Sequence, residues 1–167
     1  MSTSAAKRAA GFSLRNADSD DLDNINDVIA AAMDTWDLAE RVKRISLPLY
    51  RYQPHDLAHL QIVVAESGAS GIVGVAALEQ ASAGDFPAEP STSILHGLYV
   101  DPAYHGKAVG SRLLKRIEEI AAATDASGLL VKAQQEAVGF FAHHGFNTLP
   151  VEDESRDYPY RLWKRFS

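Results

Sequence analysis

Leu98-Tyr-Val-Asp-Pro-Ala-Tyr-His-Gly-Lys-Ala-Val-Gly-Ser-Arg112 joins an apolar run to an amphipathic one through a loop of small residues. Val100 ends the first run, Asp101-Pro102 breaks it, and Gly106, Ala108 and Gly110 stand where the second begins. A helix starting here has unsatisfied backbone N–H groups and a partial positive charge at its N-terminus, and small residues let an anion come close to both. The pattern suits a diphosphate. Neither Gly-x-x-x-x-Gly-Lys-Ser/Thr nor Gly-x-Gly-x-x-Gly is present, which sets aside the commonest nucleotide loops. Taken alone, the loop also fits a plain turn before a surface helix.

Working outward, Phe12 to Arg15 reads as a first strand, and Asn16-Ala-Asp18 offers side chains that cap a helix. Leu22, Ile25, Ile29, Ala32 and Trp36 then recur at helical spacing. A second helix is expected over 38–46, with Leu38, Val42 and Ile45 on one face and Pro48 as its stop. Gln61 to Glu66 and Ile72 to Leu78 are β-branched runs around Ser67-Gly-Ala-Ser-Gly71, a hairpin signal. Gln80 to Thr92, with Pro87 and Pro90 among small residues, reads as a flexible loop, and the next strand covers 93–100.

After the loop, Val109, Leu113, Ile117 and Ile120 make a buried stripe while Lys115, Arg116, Glu118 and Glu119 face outward. Gly128 to Ala133 reads as a strand and Glu136 to His144 as a short helix stopped by Gly145. Asn147 to Val151 and Tyr158 to Phe166 form a final hairpin, with Tyr158, Tyr160 and Leu162 on one face by alternation. The order is strand, two helices, three strands, helix, strand, helix, two strands.

The segment from Leu98 to Arg112 resembles the acetyl-CoA-binding motif of the GNAT superfamily of N-acetyltransferases. There, Arg or Gln, two residues, Gly, one residue, then Gly or Ala opens the long helix after the fourth strand. His105, Ala108 and Gly110 hold those places. His105 donates to phosphate more weakly than Arg, since its charge near neutral pH depends on its surroundings. Ala108 fits if the backbone there does not need positive φ. A second stretch, Gln134-Gln-Glu-Ala137 followed by Phe140-Phe141-Ala-His-His-Gly145-Phe146, resembles the family pattern Asn-x-x-Ala-x-x-Phe-Tyr-x-x-x-Gly-Phe.

The resemblance implies an α/β (α+β) chain with the GNAT fold: a mixed, mostly antiparallel twisted sheet of about six to seven strands flanked by about four helices. It implies acetyl-CoA as acyl donor and no metal. Backbone groups of Leu98 and Val100 would pair with the pantetheine arm, and His105, Gly106, Lys107, Ala108, Gly110 and Ser111 would grip the pyrophosphate. Gln134 would replace the asparagine that commonly bonds that arm, with Phe141 as a further cofactor contact. Many relatives carry tyrosine at the Phe141 position to protonate the leaving thiolate, and phenylalanine has no proton to give. Tyr158 and Tyr160 are substitutes in principle.

An acceptor amine is protonated at neutral pH and must lose a proton before it attacks a thioester. His96, on the strand feeding the loop, has the pKa range for that, and Glu79 at the end of the preceding strand is the second candidate. A histidine packed against a helix or simply solvated is the alternative for His96. Trp36 with Asp34, Asp37 and Glu40 lies in the region that lines the acceptor pocket in the family, and carboxylates beside an aromatic suit an ammonium group. His143 with His144, and His55 with His59, lack an evident third ligand for a metal.

The chain has 167 residues, which fits one domain over 11–167 behind a flexible tail over 1–10. The absence of cysteine excludes disulfides, thiolate metal sites and a cysteine acyl-enzyme, and is compatible with a cytoplasmic location. No apolar run approaches the roughly eighteen residues of a membrane span. The tail lacks the apolar centre of a secretory signal. A formal net charge of −6 argues against a nucleic-acid surface and suits a cationic acceptor. The resemblance thus implies an acetyl-CoA-dependent N-acetyltransferase acting on a primary amine of a small molecule, and the composition adds no nucleic-acid or membrane partner, with a homodimer left open. A protein or peptide acetyltransferase and a non-catalytic acyl-CoA sensor are the competing readings.

Overall fold

The computed structural model describes residues 11–80 and 92–166. Seven strands form one sheet: β1 (Ser13–Asn16), β2 (Gln61–Ser67), β3 (Gly71–Gln80), β4 (Thr92–Val100), β5 (Gly128–Lys132), β6 (Asn147–Thr148) and β7 (Arg161–Arg165), in the order β1-β2-β3-β4-β5-β7-β6. Among the described residues the α-helices are α1 (Leu22–Asp34), α2 (Glu40–Tyr50), α3 (Val109–Ala123) and α4 (Val138–His143). The element order is the expected one. β4 and β5 run parallel, so the chain between them must cross over, and α3 makes that crossover. The expected tail over 1–10 and most of the expected loop between β3 and β4 lie outside the described residues.

Contacts divide the chain into two units, the first within Met1–Ala77 and Gly97–Leu114, the second within Leu78–His96 and Lys115–Ser167. In the first, β1 pairs antiparallel with β2. The turn into α1 is locked by charge. The Asp18 carboxylate accepts from the Asp20 N–H at 2.9 Å, the Asp21 carboxylate accepts from the Asp18 N–H at 2.8 Å, and Arg15 donates to both Asp21 oxygens at 2.8 Å. The Arg15 hydrogen bond holds the Asp21 carboxyl below its ordinary range. From there Leu22, Ile25, Val28, Ile29, Ala32 and Met33 turn one face into a core completed by Ile62 and Val64 of β2, Val75 and Ala77 of β3 and Tyr99 of β4. Each Leu, Ile, Val or Met side chain among them contributes about 1.5–3 kcal/mol of burial free energy.

α2 departs from expectation in extent and in facing. It starts at Glu40 and runs through Pro48 to Tyr50. Proline lacks an N–H, so at this place it removes the bond to the Arg44 carbonyl, and the helix tolerates that loss in its last turn. Leu47 and Tyr50, with Trp36 just ahead of the helix, are the residues that pack on the core. Lys43 folds inward to donate to the Asp34 carbonyl at 2.8 Å. Leu38, Val42, Ile45 and Leu49 are left in solvent, Ile45 at 62% and Leu49 at 83% exposure.

In the second unit, Thr92 to Leu95 of β4 pair with Gly128 to Val131 of β5, and β7 pairs antiparallel with β5 on one side and β6 on the other. The helix expected over 136–144 is a 3₁₀ turn, Gln135–Ala137, followed by α4. Gly145 ends it as expected, at φ +90°, with the Phe146 N–H donating to the Phe141 carbonyl at 3.0 Å. The last hairpin is shorter than its apolar pattern suggests. Tyr158 and Tyr160 precede β7 instead of lying on it, because the Tyr158 hydroxyl donates to the Ala133 carbonyl at 2.6 Å and the Asp157 carboxylate gathers the Glu152 and Asp153 N–H groups at 3.1 and 3.2 Å. Those bonds make 152–160 an ordered turn.

Candidate functional site

The Asp101 N–H donates to the Val73 carbonyl at 2.8 Å, which turns residue 101 toward β3 at the end of β4. Strand backbone groups alternate sides, so those of Tyr99 face β3 as well, while those of Leu98 and Val100 face the other edge. The β4–β5 register covers Thr92 to Leu95 and, among the described residues, no pair continues it along Gly97 to Val100. Leu98 and Val100 thus have their backbone groups on the side of β4 away from β3. At the end of it, His105 Nε2 sits 3.2 Å from the Val100 carbonyl oxygen. This revises the expected role of the histidine. A carbonyl only accepts, so Nε2 carries the proton, and a neutral ring then offers Nδ1 as an acceptor; only the imidazolium could also donate to phosphate.

The loop itself is built from two left-handed residues, Gly106 at φ +78° and Ala108 at φ +65°. The backbone at 108 does need positive φ, contrary to the condition under which alanine would fit without strain. Glycine reaches that region at little cost, whereas an L-residue with a Cβ pays roughly 1–2 kcal/mol there. Strain of this kind persists where surrounding structure over-determines it, and it clusters at binding loops. The first helical bond of α3 is from Arg112 N–H to the Ala108 carbonyl at 3.1 Å, so the N–H groups of residues 108–111 lie ahead of the hydrogen-bonded ladder. Val109 and Leu113 are buried on the inner face of the helix, and the outer side of its first turn carries Arg112, which donates to the Phe12 carbonyl at 3.2 Å. Lys107 is exposed, with Nζ 5.8 Å from the centre of the Tyr104 ring.

In the second unit, His96 and Glu79 come together, His96 Nε2 standing 4.0 Å from Glu79 Oε2 with both side chains partly in solvent. Sequence reasoning ranked these two separately as proton acceptors; the fold makes them neighbours. Gln134 is half-buried at the end of β5, where its carbonyl accepts from the Ala137 N–H at 2.9 Å. Phe141 is buried, with edge-on ring contacts to Phe140 at 5.2 Å and Phe146 at 5.4 Å. The Tyr158 proton is committed to the Ala133 carbonyl, which removes it as a ready substitute acid.

Trp36 stands edge-on to Tyr50 at 5.5 Å, and Glu40 pairs with Lys43 at 3.5 Å, so this group is part of the α1–α2 junction. Among the described residues no group of three or more His, Cys, Asp or Glu could hold a metal. Among them, too, no helix is long and apolar enough to cross a membrane. Sequence reasoning missed Tyr52. It is buried, its hydroxyl would lie 2.6 Å from a Cβ placed on Gly97, and the only sequence signal was a glycine inside a strand pattern, which marks close approach.

A mixed seven-stranded sheet with a crossover helix opening from a small-residue loop is the α/β fold that the motif suggested. The acetyltransferase (GNAT) domain family matches residues 58–148, more than half of the chain, and the chain belongs to that family. Similar solved structures include the PaiA N-acetyltransferase of Thermoplasma acidophilum in complex with coenzyme A, at 15% identity and TM-score 0.75, covering 93% of this chain and 99% of that one. A GNAT acetyltransferase of Brucella melitensis in complex with acetyl-CoA matches at 18% identity and TM-score 0.65, covering 95% and 90%. A GCN5-related N-acetyltransferase of Rhodopseudomonas palustris matches at 22% identity and TM-score 0.70, covering 93% and 96%. At these identities the likeness is one of fold. No curated protein sequence matches the chain.

Proposed function

We propose that the chain transfers an acetyl group from acetyl-CoA directly to a primary amine of a small molecule, within a ternary complex and without an acyl-enzyme. The observation that carries this reading is the loop with left-handed Gly106 and Ala108 opening α3 immediately beyond β4. N–H groups of Gly106 and of residues 108–111 bind the diphosphate, while those of His105 and Lys107 are turned to the Pro102 and Tyr104 carbonyls at 3.3 and 3.4 Å and are not among the donors; the backbone of Leu98 with the N–H of Val100 takes the pantetheine arm as an added strand. Gln134 and Phe141 are proposed as further coenzyme contacts on the family resemblance alone. Two similar structures were solved with coenzyme A or acetyl-CoA, which supports the same choice of donor.

His96 takes the proton of the incoming ammonium, and the Glu79 carboxylate stands 4.0 Å from its Nε2. Catalysis is otherwise positioning plus a β4 backbone donor aimed at the developing oxyanion. The acidic chain and its lack of cysteine suit a cationic acceptor and a mechanism without a thiol intermediate.

The test is calorimetric titration with coenzyme A of the wild type and of Gly110→Leu, followed by thiol release from acetyl-CoA with a panel of small amines and of peptides. A folded Gly110→Leu variant should lose at least tenfold in affinity because its side chain blocks the approach to the helix N-terminus. Undiminished affinity would remove the loop from the site. Faster acetylation of peptides than of free amines would replace the small-molecule acceptor with a protein one, and His96→Ala should lower turnover by about 10²-fold at neutral pH, less as pH rises.

A further inference from the structure

We propose that His105 holds the coenzyme's diphosphate as an imidazolium, so that coenzyme binding draws a proton onto this ring. The inference rests on the placement of coenzyme A given above and adds a side-chain charge to a loop that otherwise acts through its backbone.

The main chain of residue 105 is not available to an anion. Its N–H is turned to the Pro102 carbonyl at 3.3 Å, and the residue is extended, at φ −62° and ψ 143°, between the 3₁₀ turn Pro102–Tyr104 and left-handed Gly106. What this position brings to a phosphate is its ring. The ring is held, since Nε2 lies 3.2 Å from the Val100 carbonyl oxygen and must carry the proton of that bond. The Val100 carbonyl faces the side of β4 away from β3, the side proposed above for the pantetheine arm. His105 is thereby tied to the level of β4 at which the arm ends and the diphosphate begins.

A neutral ring in this position has nothing to give an anion. Its one N–H is spent on Val100, and its bare Nδ1 is an acceptor. The imidazolium adds a second N–H and a full positive charge without giving up the first bond.

Other charges around the loop do not replace it. From residue 101 to residue 112, the side chains able to carry positive charge are His105, Lys107 and Arg112. Arg112 donates to the Phe12 carbonyl at 3.2 Å with its guanidinium 4.5 Å from the centre of the Phe12 ring, and Lys107 Nζ stands 5.8 Å from the centre of the Tyr104 ring. The Asp101 carboxylate accepts from the Ala103 N–H at 2.9 Å, and the Tyr104 hydroxyl donates to Ser70 Oγ at 2.6 Å. The turn that receives Tyr104, Gly68-Ala-Ser70, carries no charge. Among the described residues no carboxylate pairs with His105, so the anion that settles its proton comes from outside the chain.

An imidazole gains or loses its charge between about pH 5 and 8, and an anion close by favours the charged form. Protonation and diphosphate binding therefore strengthen each other by one common factor. Affinity is high at the acid end of that range and falls as pH rises through it. Arginine and glutamine, which the family pattern has at this place, do not titrate there, and a ring that only capped Val100 would give no such slope.

The experiment is calorimetric titration with acetyl-CoA, which has no free thiol, of wild type, His105→Gln and His105→Arg at about pH 6, 7 and 8. At the middle pH each titration is repeated in a buffer of different ionisation enthalpy, which counts protons taken up. The coenzyme's 3′-phosphate also titrates in this range, and His105→Gln, whose amide can still donate to Val100, measures that contribution. For a coupling of about tenfold, wild-type affinity should fall about fivefold more than that of His105→Gln from the lowest pH to the highest, with about half a proton more taken up per ligand at the middle one. His105→Arg should keep the slope and proton count of the glutamine variant but bind more tightly at every pH. Parallel profiles and equal proton counts in wild type and His105→Gln would overturn the proposal and leave the coenzyme site standing. Failure of the wild type to bind acetyl-CoA would overturn both. If His105→Gln does not fold, His105→Arg supplies the non-titrating reference.

Discussion

α2 and α3 carry the same kind of periodic apolar stripe and use it in opposite ways. In α3 the stripe of Val109, Leu113, Ile117 and Ile120 is buried, together with Leu114 and Ala121. In α2 the stripe of Val42, Ile45 and Leu49, continued by Leu38 just ahead of the helix, faces solvent, and the helix is held from its other side by Leu47 and Tyr50. Periodicity says which residues share a face of a helix. It does not say which face the rest of the chain will cover, and that depends on how many apolar neighbours each side finds. α3 leaves a strand and returns to the next strand of the same sheet, so one of its faces must lie on that sheet. α2 is joined to neither a preceding nor a following strand so directly, and its docking is set by Leu47, Tyr50, the neighbouring Trp36 and Lys43.

The largest expected effect comes from breaking the buried stripe. Leu113→Ala should cost about 2–5 kcal/mol in denaturant unfolding, through lost transfer free energy and the cavity left behind. A cost under about 1 kcal/mol would mean that α3 does not pack as described. A smaller effect of opposite sign is expected in the loop ahead of the same helix. Ala108→Gly relieves a left-handed Cβ, offset by the greater freedom glycine gives the unfolded chain, for a net gain of up to about 1 kcal/mol. Coenzyme A affinity should hold or improve, and a clear loss of stability would contradict positive φ at this position. The smallest effect belongs to α2: Ile45→Ser should stay within about 0.5 kcal/mol of wild type, since a residue this exposed has little burial to lose. A larger cost would show that something covers the face in solution.

Much of this protein was legible before any coordinates. The stripe of α3, the stop at Gly145, the hairpin at Ser67 to Gly71 and the order of elements all follow from local rules about period, caps and turns. The loop before α3 was legible as a candidate anion site because small residues at a helix start leave the backbone N–H groups open, although a plain turn has the same local pattern. What local rules missed has a common cause. Tyr158 and Tyr160 looked like strand residues until the Ala133 carbonyl and Asp157 claimed the segment as a turn. His105 looked free to reach phosphate until its ring met the Val100 carbonyl. His96 and Glu79 were two candidates in sequence and one pair in space.

The sequence by itself determined the class of fold, because helix and strand periods are written in nearest neighbours, and it marked the small-residue loop ahead of α3 as the candidate place for an anion, because that depends on a short local run. Only the tertiary structure decided that Ala108 must be left-handed, that the apolar stripe of α2 stays outside, and that Tyr52 reaches Gly97 from 45 residues away along the chain. Those facts depend on which distant groups fill the same few cubic ångströms, and no local pattern records that competition.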